Sequence, residues 1–425
     1  MLDLKYIRDN PDVVKKAIND RGIKLGVDEI LSLDAKRREL LTQVESLKHK
    51  KNTMSQEIGK KIAKKEDVNL EKSEIRSISQ KIKETEPKVE EIDKKLANLL
   101  LCVPNIPHKS VPIGPEKEAN RVVKEFGKEP KFKFEPRNHV EIADILDIID
   151  FKRASKITGS FFILYKGLGA RLERAIINFM LDLHTKKHGY KEVFPPFLVN
   201  RDSMTGTGQL PKLEEDMYRL KDEDYFLIPT AEVPVTNMHR DEVIPEDKLP
   251  IYYTAYTACF RREAGSYGKD TKGLNRVHQF DKVELVKFVK PGTSYDELES
   301  LLQNAEKVLQ LLELPYRVCE LSTQGISFAA AKCYDIELWA AGSRARLEVS
   351  SCSNFGDFQA RRANIRYRDK ETNKLSYVHT LNGSGVATAR LLIALIENYQ
   401  TKNGTVMIPK ALQPYMDGLK EIKPA

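Results

Sequence analysis

The chain has 425 residues, of which 41% are hydrophobic and 31% are charged, so it can form a sizeable core and is not largely disordered. With 22 Gly and 20 Pro it is not collagen-like, and its length corresponds to two or three domains. The formal net charge of +8 is a mild excess that does not by itself indicate nucleic-acid binding.

The cysteine and apolar patterns favour a soluble cytoplasmic protein. The five cysteines are scattered and form no C-x-x-C pair, so a reducing compartment is expected. The N-terminal residues are charged rather than apolar. The longest apolar runs, 96–103 and 391–396, are much shorter than a membrane span of about 20 residues. We therefore expect a cytoplasmic location and no membrane partner.

Seven-residue periodicity distinguishes residues 28–101 from the rest of the chain. Two charge-rich stretches each carry apolar residues at a and d positions, more clearly in the second stretch, and a polar segment at 59–69 separates them. This pattern predicts an antiparallel two-helix coiled-coil arm, roughly 50 Å long, in which Pro87 kinks the second helix or removes one of its hydrogen bonds. The predicted seam contains Leu33, Arg37, Leu40, Val44, Leu47, Lys51, Met54 and Ile58, followed by Ile75, Ile78, Ile82, Thr85, Val89, Ile92, Leu96 and Leu99.

Lysines are concentrated around the predicted turn of this arm. Residues 48–65 contain seven lysines and a single acid, Glu57. Two interpretations remain open, a solvated coiled-coil surface or a phosphate-binding tip that gains affinity through counterion release. The candidate nucleic-acid-binding residues are Lys48, Lys50, Lys51, Lys60, Lys61, Lys64 and Lys65.

A proline-rich segment at 104–115 predicts a linker between the arm, residues 1–103, and a second domain, residues 116–425. The second domain mixes helix and strand patterns without an alternating βαβ rhythm, which indicates an α+β fold. Its predicted elements include an amphipathic helix at 171–187 and a short strand at 192–199. A long-looped antiparallel hairpin is predicted from strands 251–263 and 276–289.

Polar side chains share one face of this predicted hairpin. Alternation places Arg276, His278, Phe280, Lys282 and Glu284 together on the second strand, and Arg261 and Glu263 together on the first. Such a face suits an anion held by arginine, a flat base stacked on phenylalanine and an ammonium held by glutamate. An exposed edge with cross-strand ion pairs fits the pattern equally well.

Two further segments carry chemistry that the sequence leaves open. Arg390 lies in the apolar helical run 386–396, where a guanidinium needs a partner, either a protein carboxylate or a ligand phosphate. Glu348 and Ser351 lie on a predicted strand, and their hard oxygen atoms suit Mg²⁺. An exposed polar strand face would explain the second pattern as well.

Together these segments resemble class II aminoacyl-tRNA synthetases. The run 260–265, FRREAG, followed by 276–280, RVHQF, resembles motif 2 of that class, and 381–385, LNGSG, running on to Arg390 resembles motif 3. The helix ending at 189–190, with 193–196 after it, resembles motif 1, the dimer motif. Within the class, four features of this chain resemble the seryl-tRNA synthetase family. They are the N-terminal arm, GTGQLP at 206–211, TAE at 230–232 and EVSS at 348–351.

The resemblance implies an antiparallel catalytic sheet flanked by helices and a symmetric homodimer. It also implies a two-step reaction, in which serine attacks the α-phosphate of ATP to give seryl-adenylate and pyrophosphate. The seryl group then passes to the 3′-terminal ribose of tRNA(Ser), and of tRNA(Sec) where that tRNA is present. Positioning and charge neutralisation by arginine and Mg²⁺ suit such a reaction, and no general base is required.

The resemblance assigns residues to the two substrates. Arg261 is expected to hold the α-phosphate and the serine carboxylate, Phe280 to stack on adenine, and Arg390 to hold the γ-phosphate end. Glu348 and Ser351 are expected to bind Mg²⁺. The implied serine site is Thr230, Ala231, Glu232, Arg261, Glu284, Asn382 and Ser384, and the implied ATP site is Arg261, Arg262, Glu263, Phe280, Glu348, Val349, Ser350, Ser351 and Arg390.

Two other functions compete with this interpretation. An enzyme that loads an activated amino acid onto a carrier protein would share the core but has no use for a long lysine-tipped arm. A coiled-coil nucleic-acid-binding or scaffold protein with an inactive domain would be expected to have lost Arg261, Glu348 or Arg390, and all three are present. The family also has a zinc-dependent type, but the TAE triplet and the lack of suitably placed cysteines resemble the zinc-free type, so no zinc is expected.

Overall fold

A computed structural model describes residues 1–264 and 272–424. The chain forms two compact units, Leu2–Pro104 and Asn105–Ala425, and Met1 belongs to the second. The described elements of the first unit are all helical. They are α1 (Leu4–Asp9), α2 (Pro11–Asp20), α3 (Val27–Ala63) and α4 (Asn69–Leu101).

Helices α3 and α4 pack along the predicted coiled-coil seam. The a and d side chains of α3 are all buried or half-buried, and in α4 the most enclosed apolar side chains include Ile82, Val89 and Leu96. An ion pair between Arg37 and Asp93 joins the two helices. The heptad pattern therefore located the seam correctly, because positions 3.5 residues apart on average fall on one side of a helix.

The turn of the arm is shorter than the predicted 59–69, because α3 continues to Ala63 and α4 begins at Asn69. Gly59 lies inside α3, where a glycine costs about 1 kcal/mol relative to alanine without ending the helix. Lys65 adopts a left-handed conformation with φ of 58° and helps to reverse the chain. Helix α4 continues through Pro87, whose missing N–H leaves one helical hydrogen bond unmade.

The second unit combines helices with one large sheet and three small ones. Its helices are α5 (Glu116–Ala119), α6 (His139–Leu146), α7 (Phe151–Thr158), α8 (Leu168–Lys187), α9 (Arg201–Thr207), α10 (Glu232–Asn237), α11 (Ser294–Leu311), α12 (Phe358–Ala363) and α13 (Thr388–Asn398). Its strands are β1 (Arg121–Phe126), β2 (Lys191–Glu192), β3 (Leu198–Asn200), β4 (Tyr225–Leu227), β5 (Val243–Pro245), β6 (Ile251–Phe260), β7 (Gln279–Val289), β8 (Tyr316–Glu320), β9 (Lys332–Ala340), β10 (Ala345–Asn354), β11 (Arg366–Arg368), β12 (Leu375–Tyr377), β13 (His379–Ala387), β14 (Val406–Met407) and β15 (Glu421–Ile422).

The large sheet has eight strands in the order β1-β8-β9-β10-β13-β7-β6-β2. All neighbouring pairs are antiparallel except β2 with β6 at one edge. The predicted α+β fold, with an antiparallel sheet and flanking helices after a helical arm, is confirmed.

One face of this sheet is covered by α8, α11 and α13. Alternate residues of β7, including Val283 and Leu285, are fully buried against apolar side chains of these helices, such as Leu172 of α8 and Leu298 of α11. Burying each such side chain stabilises the fold by about 1.5–3 kcal/mol. The close approach of α11 requires Gly383 in β13, because a Cβ there would lie 2.2 Å from Leu301.

The opposite face of β7 is apolar at one end and polar at the other. Val286 and Phe288 pack against α10 and α12 and form a second core. Phe280, Lys282 and Glu284 precede them on the same face, since side chains on a strand alternate. The helices that cover Val286 and Phe288 therefore leave a recess over the polar end of the strand.

Three predicted strand boundaries are wrong. Strand β6 ends at Phe260 and β7 begins at Gln279, so Arg261, Glu263, Arg276 and His278 lie beyond the strands. Glu263 has a φ of 50°, which is incompatible with an extended strand. The predicted strand 192–199 is two short strands, β2 and β3, separated by prolines that have no N–H to donate. Part of the predicted loop, 265–271, including Gly265 of the motif 2 resemblance, lies outside the described residues.

Candidate active site

A cavity of about 620 Å³ lies over the polar end of β7, between that strand, β13 and β10. Thr207, Gly208 and Gln209 at the end of α9 form part of its wall, and Asn275, Arg276 and Val277 form another part. From the predicted serine and ATP sites, it is lined by Thr230, Glu232, Arg261, Glu263, Phe280, Glu348, Val349, Ser350, Ser351, Asn382, Ser384 and Arg390.

Two buried carboxylates define what we call the closed end of the cavity: Glu232 lines the cavity there, and Glu284 lies next to it behind the cavity wall. The side-chain nitrogen of Asn382 donates to both, at 3.0 Å to Glu232 Oε2 and 2.8 Å to Glu284 Oε1. Gln359 Nε2 donates to the other oxygen of Glu232 at 2.5 Å. The N–H donors at both oxygens of Glu232 stabilise its ionised form and so oppose the effect of burial on this carboxylate.

Glu284 is 1% exposed and lies behind the cavity wall. Its Oε2 accepts the Thr230 hydroxyl at 3.2 Å and is 2.6 Å from the ammonium nitrogen of Lys282. Lys282 itself lines the cavity. Lys282 and Glu284 lie on one interior strand, so their ion pair is neither cross-strand nor on an exposed edge, contrary to the alternative interpretation of this face.

Burial, followed by the nearby charge of Glu284, raises the pKa of Glu232 to about 7, while Gln359, Lys282 and Arg261 oppose this rise. A raised carboxyl pKa means that the neutral form gains population as the pH falls through about 7. If ionised Glu232 binds the substrate amine, kcat/KM for serine activation should fall below that pH. Pyrophosphate exchange measured from pH 5.5 to 9 checks this expectation. Any activity that remains in Glu232→Gln should not show the step in kcat/KM near pH 7. A parent profile without a step near pH 7 would contradict the assignment.

Arg261 and Phe280 lie together above the carboxylate end. The guanidinium carbon of Arg261 is 5.3 Å from the centroid of the Phe280 ring, and its Nε donates to the Pro229 carbonyl at 3.4 Å. Arg276 forms an ion pair with Glu263 at 3.1 Å at the same end of the cavity. A cation and an aromatic ring thus lie close together. This combination is needed to bind a ligand that carries an anionic group next to a flat ring.

Glu348 and Ser351 reach one cavity because β10 is irregular. Regular alternation would put them on opposite faces of the strand, but a β-bulge between Glu348 and Ser350 shifts the register. Arg390 Nη1 donates to the Glu348 backbone carbonyl at 2.9 Å and lies 3.6 Å from its carboxylate. The Arg390 guanidinium therefore already has a carboxylate neighbour, and it also faces the cavity.

The oxygen atoms at this end fit a magnesium ion chemically. The Glu348 side chain is 51% exposed, so its carboxylate is accessible from the cavity. A carboxylate and a hydroxyl supply two hard ligands, and Mg²⁺ commonly takes its remaining ligands from water and substrate phosphates. Across residues 1–264 and 272–424, no group of three or more His, Cys, Asp or Glu side chains is arranged to hold a metal ion.

Several cavity residues were not among the predicted site residues. Lys282 has the same alternating spacing as Phe280 and Glu284, and this signal could have identified it. Thr207, Gly208 and Gln209 belong to the GTGQLP run, which was recognised without a role. Gln359, which donates to Glu232 without lining the cavity, had no signal because it reaches Glu232 from a separate helix. Of the predicted residues, Ala231, Arg262 and Glu284 do not line the cavity.

The seven candidate lysines of the arm are spread along α3 and the turn. Lys48 pairs with Glu86 at 2.7 Å, and Lys50 and Lys61 pair with Glu74 and Glu71. Lys48 and Lys50 lie about 20 Å along α3 from its end. Lys51 is half-buried in the seam, whereas the side chains nearest the turn are exposed, namely Lys60, Lys64 and Lys65.

Within the described residues, none of the helices combines the length and the apolar character needed to cross a membrane.

Comparison with known proteins agrees with this site and fold. A family model for the class II core domain of tRNA synthetases (G, H, P, S and T) matches residues 215–399, and one for the seryl-tRNA synthetase N-terminal domain matches residues 1–107. The chain is 56% identical to a serine–tRNA ligase of Carboxydothermus hydrogenoformans over 98% of both proteins. A serine–tRNA ligase of Trichlorobacter lovleyi is also 56% identical, over 99% of this chain and 100% of that protein.

Two solved structures are similar over the whole chain. Seryl-tRNA synthetase of Pyrococcus horikoshii, complexed with ATP, has a TM-score of 0.95 and 41% identity and covers 100% of both chains. Cytoplasmic serine–tRNA ligase of Naegleria fowleri, in complex with AMP, has a TM-score of 0.89 and 29% identity and covers 100% of this chain and 99% of that chain.

The antiparallel sheet, the cavity on its face and the core-domain match define a class II aminoacyl-tRNA synthetase. The N-terminal match and the full-length relatives are more specific. The chain belongs to the seryl-tRNA synthetase family, and the predicted activity, ligation of serine to tRNA, is confirmed over the carrier-protein and scaffold alternatives.

Proposed function

We propose that serine and ATP react inside the cavity over β7 to form seryl-adenylate. The observation that best supports this proposal is that chemically different groups of side chains line one continuous cavity. Glu232 lines its closed end next to the buried Glu284, Arg261 and Phe280 line a second part, and Glu348 and Arg390 line a third. An amino acid, an α-phosphate with its base, and a polyphosphate would each meet a complementary group.

At the closed end, the serine ammonium would bind the carboxylates of Glu232 and Glu284. The serine hydroxyl would be read by Glu284 together with Ser384, and the carboxylate would face Arg261. Asn382 orients both glutamates, Thr230 bridges Lys282 and Glu284, and Ala231 fixes the backbone between Thr230 and Glu232. A buried polar site of this kind rejects a substrate that lacks the hydroxyl, because its own groups are then left without partners.

At the nucleotide end, Arg261 would hold the α-phosphate and Phe280 would stack on adenine. Glu263, Val349 and Ser350 line the same space, and Arg262 adjoins it. Arg390 would hold the γ-phosphate end. The Pyrococcus horikoshii and Naegleria fowleri relatives were solved with ATP and AMP, which supports nucleotide binding by this chain.

Glu348 and Ser351 would hold the Mg²⁺ ion that the family implies. When bound, the metal supplies charge neutralisation at the phosphates. The protein's own contribution is to align the serine carboxylate with the α-phosphorus and to exclude water. Arg261 would stabilise charge that develops on the α-phosphoryl oxygens as pyrophosphate leaves.

The arm would serve the second step, in which the terminal ribose hydroxyl of tRNA attacks the seryl carbonyl and AMP leaves. We propose that the lysines at positions 48, 50, 51, 60, 61, 64 and 65 contact tRNA phosphates. Exposed Lys60, Lys64 and Lys65 next to the turn support this role most strongly.

We further propose that tRNA(Sec) is a substrate where it is present. We also propose that the arm is a domain of residues 1–103, joined through 104–115 to a catalytic domain of residues 116–425.

A cytoplasmic homodimer completes the proposal. The segment that resembles the dimer motif comprises α8, β2 and the residues after them. Phe194 in this segment is 74% exposed, so its ring is accessible to a partner subunit. The five cysteines of the chain are all free, which suits a reducing compartment.

Pyrophosphate exchange with each standard amino acid tests the proposed function. We expect serine to drive exchange without tRNA, and expect alanine, threonine and glycine to drive little. Exchange that depends on another amino acid, or that requires tRNA, would contradict the proposed site chemistry.

A further inference from the structure

Lys282 is a buried cation beside the two carboxylates of the serine site. Its residue is 5% exposed, its Nζ donates to the Thr230 hydroxyl at 2.7 Å and it lies 2.6 Å from Glu284 Oε2. A buried ammonium is costly unless it is paired and fully hydrogen-bonded. Its position next to a substrate cavity therefore requires an explanation beyond simple pairing on a strand.

The charges at the closed end of the cavity provide an explanation for this buried lysine. Glu232 and Glu284 contribute two negative charges when ionised, and Lys282 contributes one positive charge. The closed end of the cavity then has a net charge of −1, which matches one substrate ammonium. Without Lys282 the net charge would be −2, and two buried carboxylates that share Asn382 would disfavour joint ionisation.

We propose that Lys282 is a positioning residue for amino-acid binding, which holds Thr230 and Glu284 in place and cancels one buried carboxylate charge, so that the site offers one net negative charge to one substrate ammonium. This inference rests on the proposed serine site. It adds a charge rule, namely that the net charge of that site balances the substrate ammonium. Membership of the enzyme family does not by itself provide this rule.

The groups around the Lys282–Glu284 pair are compatible with this count. From β6, Thr257 lies opposite Lys282 and Ala255 opposite Glu284, and the buried Cys259 thiol is nearby, with burial raising its pKa. From β13, Asn382 and Ser384 face the pair, and the neighbouring Cys352 thiol of β10 has a pKa raised to about 12 by burial. Glu232 of α10 and Arg261 are further charged groups near the pair, and Asp335 and Glu306 act on Cys352 from the β10 side.

A double-mutant cycle of Lys282→Met and Glu284→Gln tests the rule. Glu284→Gln alone leaves Glu232 and Lys282, a net charge of zero, and should weaken serine binding most. The double variant returns the net charge to −1 and should have a lower KM for serine than Glu284→Gln, on the order of tenfold. A purely structural role for Lys282 predicts the reverse order, with the double variant worse than either single variant.

Lys282→Met alone provides a second readout. Its KM for serine should rise on the order of tenfold while its KM for ATP stays within about twofold of the parent value. Its kcat/KM for serine should also rise with pH over a higher pH range than that of the parent, because Lys282 no longer opposes the raised pKa of Glu232. Lys282→Arg, which keeps the charge, should retain the pH profile of the parent.

The outcomes separate this proposal from the proposed function. Serine-dependent exchange by the parent tests the function, whereas the order of the variants tests Lys282. A double variant whose KM for serine equals or exceeds that of Glu284→Gln overturns the charge rule. So does a Lys282→Met protein with an unchanged pH profile. If Lys282→Met alone does not fold, the comparison of Glu284→Gln with the double variant still decides.

Discussion

Replacing Arg261 with alanine should slow seryl-adenylate formation by roughly 10²–10³, a loss of about 2.7–4 kcal/mol of transition-state stabilisation. The guanidinium faces the cavity beside Phe280. In the proposed reaction, negative charge would develop there on the α-phosphoryl oxygens as serine attacks. The effect should therefore fall mainly on the rate of adenylate formation. Single-turnover formation of adenylate at saturating ATP and serine measures that rate directly.

Two control variants make this measurement specific. Arg261→Lys should restore part of the rate, because a point charge cannot reproduce the two-pronged hydrogen bonding of a guanidinium. Arg262→Ala should have a smaller effect, because Arg262 donates to the Glu215 backbone and does not line the cavity. An Arg261→Ala protein that forms adenylate at the parental rate would show that the α-phosphate is held by another group.

Shortening the arm should abolish tRNA charging while leaving serine-dependent pyrophosphate exchange within about twofold of the parent. The ion pair of Arg37 with Asp93 marks a level at which both helices can be cut, so residues 42–88 can be replaced by a short Gly/Ser turn. The removed part contains all seven candidate lysines and none of the cavity residues. Equal charging by the shortened and full-length proteins would contradict the assignment of the arm to tRNA.

Finer variants of the arm distinguish lysine contacts from the shape of the arm. Changing Lys60, Lys64 and Lys65 to glutamine keeps the helices and removes the exposed charges next to the turn. Affinity for tRNA should then depend less steeply on salt, by about one unit of slope for each lost phosphate contact. The same number of substitutions at Lys36, Lys88 and Lys94, exposed lysines farther from the turn, should leave the slope nearly unchanged.

The sequence located much of this site because short-range patterns determine much of its geometry. Alternation along β7 correctly placed Phe280, Lys282 and Glu284 on one face. Heptad spacing likewise placed the seam of the arm. Both patterns follow from the side-chain periodicity of a regular helix or strand, so they can be recognised without knowledge of the tertiary contacts.

Other features depend on contacts between distant segments and could not be read from local patterns. The burial of Glu284 behind the cavity wall requires β13 and the segment before α10 to pack over it, and Gln359 reaches Glu232 from α12. The shared orientation of Glu348 and Ser351 depends on a β-bulge, which local alternation does not predict. Arg261 and Glu263 were predicted on a strand, but that strand ends at Phe260, three residues before the predicted end.

We propose that a buried carboxylate, Glu284, binds both the ammonium and the hydroxyl of serine. The most direct test is the ratio of kcat/KM for serine to kcat/KM for alanine, measured by pyrophosphate exchange on the parent and on Glu284→Ala. A polar site left unpaired by the wrong substrate discriminates by about 10⁴–10⁵, so the parent ratio should be large and the variant ratio should fall steeply. A Glu284→Ala protein that keeps the parental preference for serine would contradict the claim and would make Asn382 the next residue to test.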